Sequence, residues 1–260
     1  MLALYNNAYS TCSQKVRLCL HEKGLDWEDR QINFRLNEHL APDYLKINPN
    51  GVVPTLVHDG NPVVDSSVIM EYLDEVFPQK SMTPRDPVER GRMRAWMRYF
   101  EEVPTVAVRF PSFNQAFVRH FKQLDNEGFE GIAQARPLRK HFYQQMGRDG
   151  FSERDVRNAL ERFRNTAIRM DGALQDGRDW LLGDQLTIAD ACVAPLFDRM
   201  DDLGLAWLWE RQPHTTAWLA RYRERPAYEA TFYERTRLSS IYPDLHDTAP
   251  GREMLEGEAS

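Results

Sequence analysis

A chain of 260 residues with 33 basic and 39 acidic side chains, interleaved to a net charge of -6, offers no concentrated positive surface, which excludes nucleic acid as the main partner. Its composition is that of a soluble globular protein with a substantial core, in one large domain or two modest ones. The longest apolar run is too short to span a bilayer and the opening Met1-Leu2-Ala3-Leu4 lacks a basic leader; Cys12, Cys19 and Cys192 form no Cys-x-x-C or Cys/His pattern. The expectations are a cytoplasmic chain with reduced thiols, no metal, no membrane partner and Cys192 as a small core residue.

In chain order, "LALY" reads as a strand, Cys12 to Lys23 as a helix, "WEDRQIN" as a second strand and "EHLAPDYLKI" as a short helix. "VPTLVHDGNPVV" reads as two strands joined at Asp59-Gly60, a hairpin dipeptide. A helix from Ser66 to Phe77 follows, with Ile69, Tyr72, Leu73 and Val76 on one face. This βαβ unit followed by a ββα unit makes residues 1–80 a small α/β domain with a mixed sheet. The proline-marked connection Pro84 to Pro87 is the expected boundary. Beyond it only helical patterns occur, from Val88 past Phe100, Ser152 to Leu174, Thr187 to Leu203 and Thr215 to Arg223, so 86–245 reads as an all-α domain. Residues 246–260 are polar and aperiodic and read as a flexible tail.

Four stretches carry residues with chemical potential. In "YSTCS", Ser10 and Thr11 occupy a strand-to-helix turn, where a hydroxyl caps the helix and the first amides point outward unsatisfied. A hydroxyl in that position also suits an anion, including a thiolate whose pKa would be drawn from about 8.5 toward neutrality. Cys12 falls on the stripe Cys12, Val16, Cys19 and Leu20, the face a βαβ helix turns to its sheet, and reads as packed. In "NPNGVVPTLV", Pro54 is either an ordinary strand-start proline or a cis proline that turns the main chain of Val53 outward, free to pair with an extended peptide. Asp65 and Ser66 open a helix, both as cap and as a carboxylate and hydroxyl able to meet the two charges of an amino-acid terminus. Thr187 and Asp190 form a capping-box variant with a folding role.

In this order, Ser10-Thr11-Cys12, "NEHLAPDYLKINPNGVVPTL", Asp65-Ser66 and Thr187 to Asp190 resemble the glutathione transferase superfamily over residues 2 to 235. The resemblance implies a thioredoxin-like N-terminal domain that binds glutathione, followed by an all-helical domain that contributes the site for a small hydrophobic electrophile, and a homodimer. It implies that Val53 pairs with the cysteinyl moiety beside cis-Pro54, that Asp65 and Ser66 hold the γ-glutamyl end, and that His39 meets the glycyl carboxylate, unless His39 is only an exposed helix-start residue. Ser-Thr-Cys-Ser is similar to the zeta-class motif, in which the first serine steadies the thiolate, the role Ser10 would inherit. It is similar as well to bacterial reductive dehalogenases of the superfamily, in which the cysteine takes part, which keeps Cys12 a catalytic candidate beside Ser10 and Thr11. The segment from Phe121 to Val156, longer than in most members, resembles the bacterial glutathione-dependent β-aryl etherases. Tyr99, Phe110, Phe113 and Phe117 are then candidate walls of the electrophile pocket, with Pro104 and Pro111 bending or ending their helix. Three functions stay open: a transferase in which glutathione thiolate displaces a leaving group, with β-aryl ether cleavage as one form; an isomerase or dehalogenase working through Cys12; and a non-catalytic binding module of the same fold.

Overall fold

The computed structural model describes residues 1–256. β1 (Leu2–Asn6) lies between a parallel partner, β2 (Glu28–Gln31), and an antiparallel one, β3 (Thr55–His58), and β4 (Asn61–Val64) completes the order β2-β1-β3-β4. The hairpin between β3 and β4 turns at Asp59 and Gly60, both at positive φ, as a two-residue turn matched to strand twist requires. β2 is a short, wholly exposed edge of Glu28, Asp29, Arg30 and Gln31, charged enough to discourage edge-to-edge pairing. The predicted helix over 38–47 divides into a 3-10 turn and α2 (Pro42–Ile47), because Pro42 starts a new helix at its first position.

α1 (Thr11–Lys23) is capped by Ser10 and closed by Gly24 in the left-handed conformation. Every residue from Ser13 to Leu20 is buried, so α1 has no solvent face. It packs beside α3 (Ser66–Val76) on one side and against α10 (Ile188–Asp202) and α12 (Pro226–Thr231) on the other. Two of its three buried cations, Lys15 and Lys23, find partners on neighbouring elements. Lys15 Nζ donates to Glu101 Oε1 at 2.6 Å and Thr105 Oγ1 at 2.9 Å, and Glu101 keeps it charged against the pull of burial. At the last residue of the helix, Lys23 pairs with buried Asp74 at 2.6 Å, and Asp74 also accepts from the Met82 amide at 2.8 Å, which fixes the path of the connection into the helical region.

The helical region begins with α4 (Pro87–Glu102), capped by Asp86. As the prolines require, α4 stops before Pro104 and the chain proceeds through α5 (Pro104–Ala107), α6 (Arg109–Ser112) and a π turn over Phe113–Phe117. The long segment after Phe121 forms α7 (Asn126–Gln134) and α8 (Lys140–Met146), separated at Pro137. α9 (Glu153–Leu174), capped by Ser152, and α10 carry most of the core, with α11 (Pro213–Arg223) packed on α9. At the start of α10 fully buried Asp190 accepts from the Thr187 amide and hydroxyl, each at 2.9 Å, the Leu181 amide at 3.1 Å and Trp218 Nε1 at 2.9 Å. The capping box is therefore also the knot that holds the loop before α10 and α11 together.

The expected flexible tail is corrected over 246–256. Buried Asp202 accepts from the amides of Leu238 and Ser239, His246 Nε2 bonds the Asp202 carbonyl at 2.8 Å, and Met254 and Leu255 of α13 (Glu253–Glu256) pack against the core. The polar sequence hid this because the anchor is a main-chain hydrogen-bond array rather than an apolar stripe; residues 257–260 lie outside the described residues. Among the described residues no helix is long and apolar enough to cross a membrane. Replacing Asp190 by Ala leaves four buried donors without an acceptor; the expected cost is about 3 kcal/mol or more, read as a fall in Tm of roughly 6–12 °C by calorimetry.

Candidate active site

Strand register gathers the candidate residues at one end of the sheet. Tyr5 lies opposite Thr55, Thr55 opposite Val64, and Asn6 opposite Gln31. The turn to Ser10, the approach through Val53, the exit at Asp65 and the loop toward His39 therefore all leave from the same edge. This is the edge to which the N-terminus of α1 points.

The turn between β1 and α1 is gripped from beneath. Arg17, 1% exposed, donates to Asn6 Oδ1 at 2.6 Å, the Asn7 carbonyl at 3.2 Å and the Ala8 carbonyl at 2.6 Å. Gln14 Nε2 joins the Ala8 carbonyl to that of Thr236, and Arg199 donates to the Tyr9 carbonyl. Asn7 is tied to the Ile32 carbonyl at 2.9 Å. Held in this way, the turn presents Ser10 with its Oγ accepting from the Ser13 amide at 3.3 Å. That bond uses a lone pair and leaves the hydroxyl proton free to donate outward, so capping and anion binding are compatible in one side chain. Thr11 and Cys12 are half-buried in the first turn. The expectation that Cys12 is packed with its stripe is thus corrected: Val16, Cys19 and Leu20 are fully buried, while Cys12 lies one turn nearer the open end. Burial pushes the Cys19 thiol up to about 12 and that of Cys192 higher still, so both are inert.

Val53-Pro54 is cis, and β3 begins only at Thr55, so Val53 lies outside the ladder. Its approach is braced by Tyr44, whose hydroxyl bonds the Val52 carbonyl at 2.6 Å and Thr55 Oγ1 at 2.9 Å, and by fully buried Asn48, whose Nδ2 reaches the same two atoms at 2.8 and 2.9 Å. Asp65, at φ 75°, caps α3 by accepting from the amides of Ser67 and Val68; Ser66 provides the first amide of that helix, which has no intrahelical acceptor. His39 is buried rather than exposed, stacked edge-on against Phe34 at 5.0 Å, and its Nδ1 has no hydrogen-bond partner among the described residues. Burial and the nearby Arg136 guanidinium hold its pKa down at about 4, so the ring is neutral near pH 7. Arg136 is buried too, with an unpartnered Nε.

Of the expected pocket aromatics, two are placed beside this edge and two are not. Phe117 stacks at 5.8 Å on Tyr9 and Phe113 lies 5.0 Å from Phe117. Tyr99 turns away to Thr166 Oγ1 at 3.0 Å and the Arg169 guanidinium, and Phe110 is taken up by Phe151 at 4.4 Å. Sequence reasoning missed the strap between α7 and α8. A Cβ on Gly51, which has φ +59°, would stand 3.3 Å from Pro137, so the strap lies against the loop that carries Gly51, and Arg136 and Arg139 flank Pro137 in sequence. The only signal for it was the length and basic character of the segment.

Comparison with known proteins accords with this geometry. The family model described as the glutathione S-transferase N-terminal domain matches residues 9–76, and that of the glutathione S-transferase C-terminal domain matches 134–226. Among curated proteins the chain is 30% identical to Protein LigF of Sphingobium sp. strain SYK-6, over 91% of this chain and 95% of that one. It is 28% identical to the tetrachloro-p-hydroquinone reductive dehalogenase of Sphingobium chlorophenolicum, over 88% and 94%. Among solved structures, β-etherase LigF of strain SYK-6 superposes with a TM-score of 0.80 at 28% identity, over 89% of this chain and 98% of that one. The chain belongs to the glutathione S-transferase family, whose common co-substrate is glutathione.

Proposed function

We propose that the chain is a transferase in which Ser10 stabilises the thiolate of bound glutathione for attack on an electrophilic carbon, with β-aryl ethers as the substrate form most in keeping with the LigF likeness. The observation that carries this reading is the Ser10 hydroxyl, which accepts from the Ser13 amide but has no acceptor of its own among the described residues, held by a braced turn at the open N-terminus of α1. The remaining residues fit the same peptide. The main chain of Val53 offers an unpaired edge to the cysteinyl unit, the amide of Ser66 and carboxylate of Asp65 suit the γ-glutamyl carboxylate and ammonium, and the orphaned Nδ1 of His39 suits the glycyl carboxylate.

Glutathione supplies the sulfur nucleophile. The Ser10 hydroxyl donates to that sulfur and, with the first amides of α1, favours its anion. Tyr9, Phe113 and Phe117 give the acceptor an apolar wall on the facing side. A carbon–sulfur bond forms as the bond to the leaving group breaks, and the departing oxygen or halide carries away the electron pair. The half-buried position of Cys12 supports a second reading, in which this thiol takes part covalently, as in an isomerase or dehalogenase. A homodimer is also proposed; Val68, Val76 and Val88, exposed on α3 and α4, mark its candidate face.

Purified protein is expected to bind glutathione by calorimetric titration. In Ser10→Ala, kcat/KM at pH 7 is expected to fall by roughly 10²- to 10³-fold, and the pKa governing its acid limb to rise by about one to two units as the bound thiol reverts toward its ordinary range. Cys12→Ala is expected to retain turnover within about threefold; loss of turnover in Cys12→Ala with Ser10→Ala active would favour the covalent reading instead. NMR titration of the free protein is expected to find the His39 ring neutral down to about pH 4. In that window the unfolded chain takes up a proton that the folded one does not, so the His39 contribution to stability is complete above pH 6.5 and declines as pH falls toward 4. Bound glutathione should move the midpoint upward, because a carboxylate beside the ring favours the imidazolium; an unmoved midpoint would remove His39 from the site.

A further inference from the structure

The transferase reading leaves two guanidinium groups without work. Arg109 is in α6 and Arg139 caps the start of α8; both are half-buried, and neither has a carboxylate at ion-pair distance among the described residues. Aromatic packing brings their segments face to face: Phe142 of α8 stacks on Phe110 at 6.1 Å and on Phe113 at 4.9 Å, and Tyr143 meets Phe113 at 5.7 Å. One contact ties the segment before Arg109 to α1. Lys15 touches Thr105 at 2.9 Å; Cys12 is one turn before Lys15 on α1, and Arg109 is one turn after Thr105. Arg139 is within electrostatic reach of Arg109, Cys12, Tyr143 and Glu101, and burial together with Arg109 draws it down to about 10.

Charge in this corner does not balance. Lys15 is bonded to Glu101 and Arg139 is within electrostatic reach of both Glu101 and Arg109, so three cations share one carboxylate, which is already engaged by Lys15 Nζ at 2.6 Å and approached by Cys192 Sγ at 3.4 Å. A glutathione thiolate would neutralise one excess positive charge and leave another. Like charges held together in a partly desolvated site destabilise the free protein and reward an anionic ligand, and paired guanidinium forks match the two oxygens of a carboxylate. We propose that Arg109 and Arg139 are a recognition pair that selects electrophiles carrying a carboxylate. The proposal rests on the transferase reading for the position of the reacting carbon, and on the charge pattern alone for the anion.

The test compares 4-chloro-3-nitrobenzoate with its methyl ester as electrophiles in wild type, Arg109→Gln, Arg139→Gln and Arg139→Lys, with glutathione affinity measured by calorimetry in each. The ratio of kcat/KM for the acid to that for the ester is expected to fall at least tenfold in each Gln variant, through KM for the acid, and to be largely restored in Arg139→Lys. A ratio that changes less than twofold, or acid and ester losing turnover equally, overturns the proposal. Neither Gln variant is expected to melt below wild type, since each removes repulsion. If wild type fails to bind glutathione, the transferase reading fails separately, and calorimetric binding of 4-chloro-3-nitrobenzoate to the free protein decides the pair: at least tenfold weaker in the Gln variants upholds it, equal affinity overturns it.

Discussion

The burial of α1 on both sides is the constraint from which the rest of the molecule follows. A βαβ helix in a small sheet ordinarily keeps one face in water, yet here α10 and α12 cover the second face, and the polar residues of that face must find partners inside. They do so in ways that fix position. Lys15 binds α1 to the end of α4 and the start of α5; Arg17 and Gln14 reach back to the preceding turn; Lys23 and Asp74 set where the chain leaves the sheet. Because each of these groups would be costly to leave unpaired, the turn before α1 has few alternative conformations. A hydroxyl aimed from that turn is therefore preorganised, which is what electrostatic stabilisation of a thiolate requires.

Much of the fold was legible from sequence because it rests on local rules. Alternation and the Asp59-Gly60 dipeptide marked the strands, Pro104 marked the end of α4, and Thr187 with Asp190 marked the start of α10. Ser10, Val53, Asp65 and Ser66 were each named from local sequence, but only the strand order and register of the structure bring them to one sheet end. What failed were inferences from one helix face. The stripe argument buried Cys12 along with Val16 and Cys19, but Thr11 and Cys12, the first two residues of a helix that starts at the sheet edge, stay half-exposed whichever face they lie on. Tyr99 and Phe110 were assigned to the pocket as neighbours in sequence, whereas the break at Val103 and the π turn after Ser112 rotate successive aromatics onto different surfaces.

Long-range polar contacts were beyond reach for a different reason. "QKVR" within α1 has the composition of a solvated face, and nothing local reveals that Glu101, 86 residues away, will cover Lys15. The strap across Gly51 and the array on Asp202 that ties down residues 238–246 are of the same kind: short segments held by a few main-chain and side-chain bonds, with little apolar periodicity to announce them. The strap brings Arg136 toward His39 and Arg139 toward Cys12, so the part of the chain least legible from its sequence is the part that most alters the electrostatics of the site.

Lys15 also bears on how such a protein can diverge. Its ammonium ends in an acid and a hydroxyl contributed by the other half of the polypeptide, so exchange of helical halves between relatives by recombination is fertile only when the incoming half brings equivalents of Glu101 and Thr105. A graft lacking them would strand a cation in a dry interior and lose the alignment of the turn before α1 in the same step. Inheritance of the two halves should accordingly be linked, with novelty accumulating by lengthening segments such as Phe121 to Val156 rather than by shuffling whole modules.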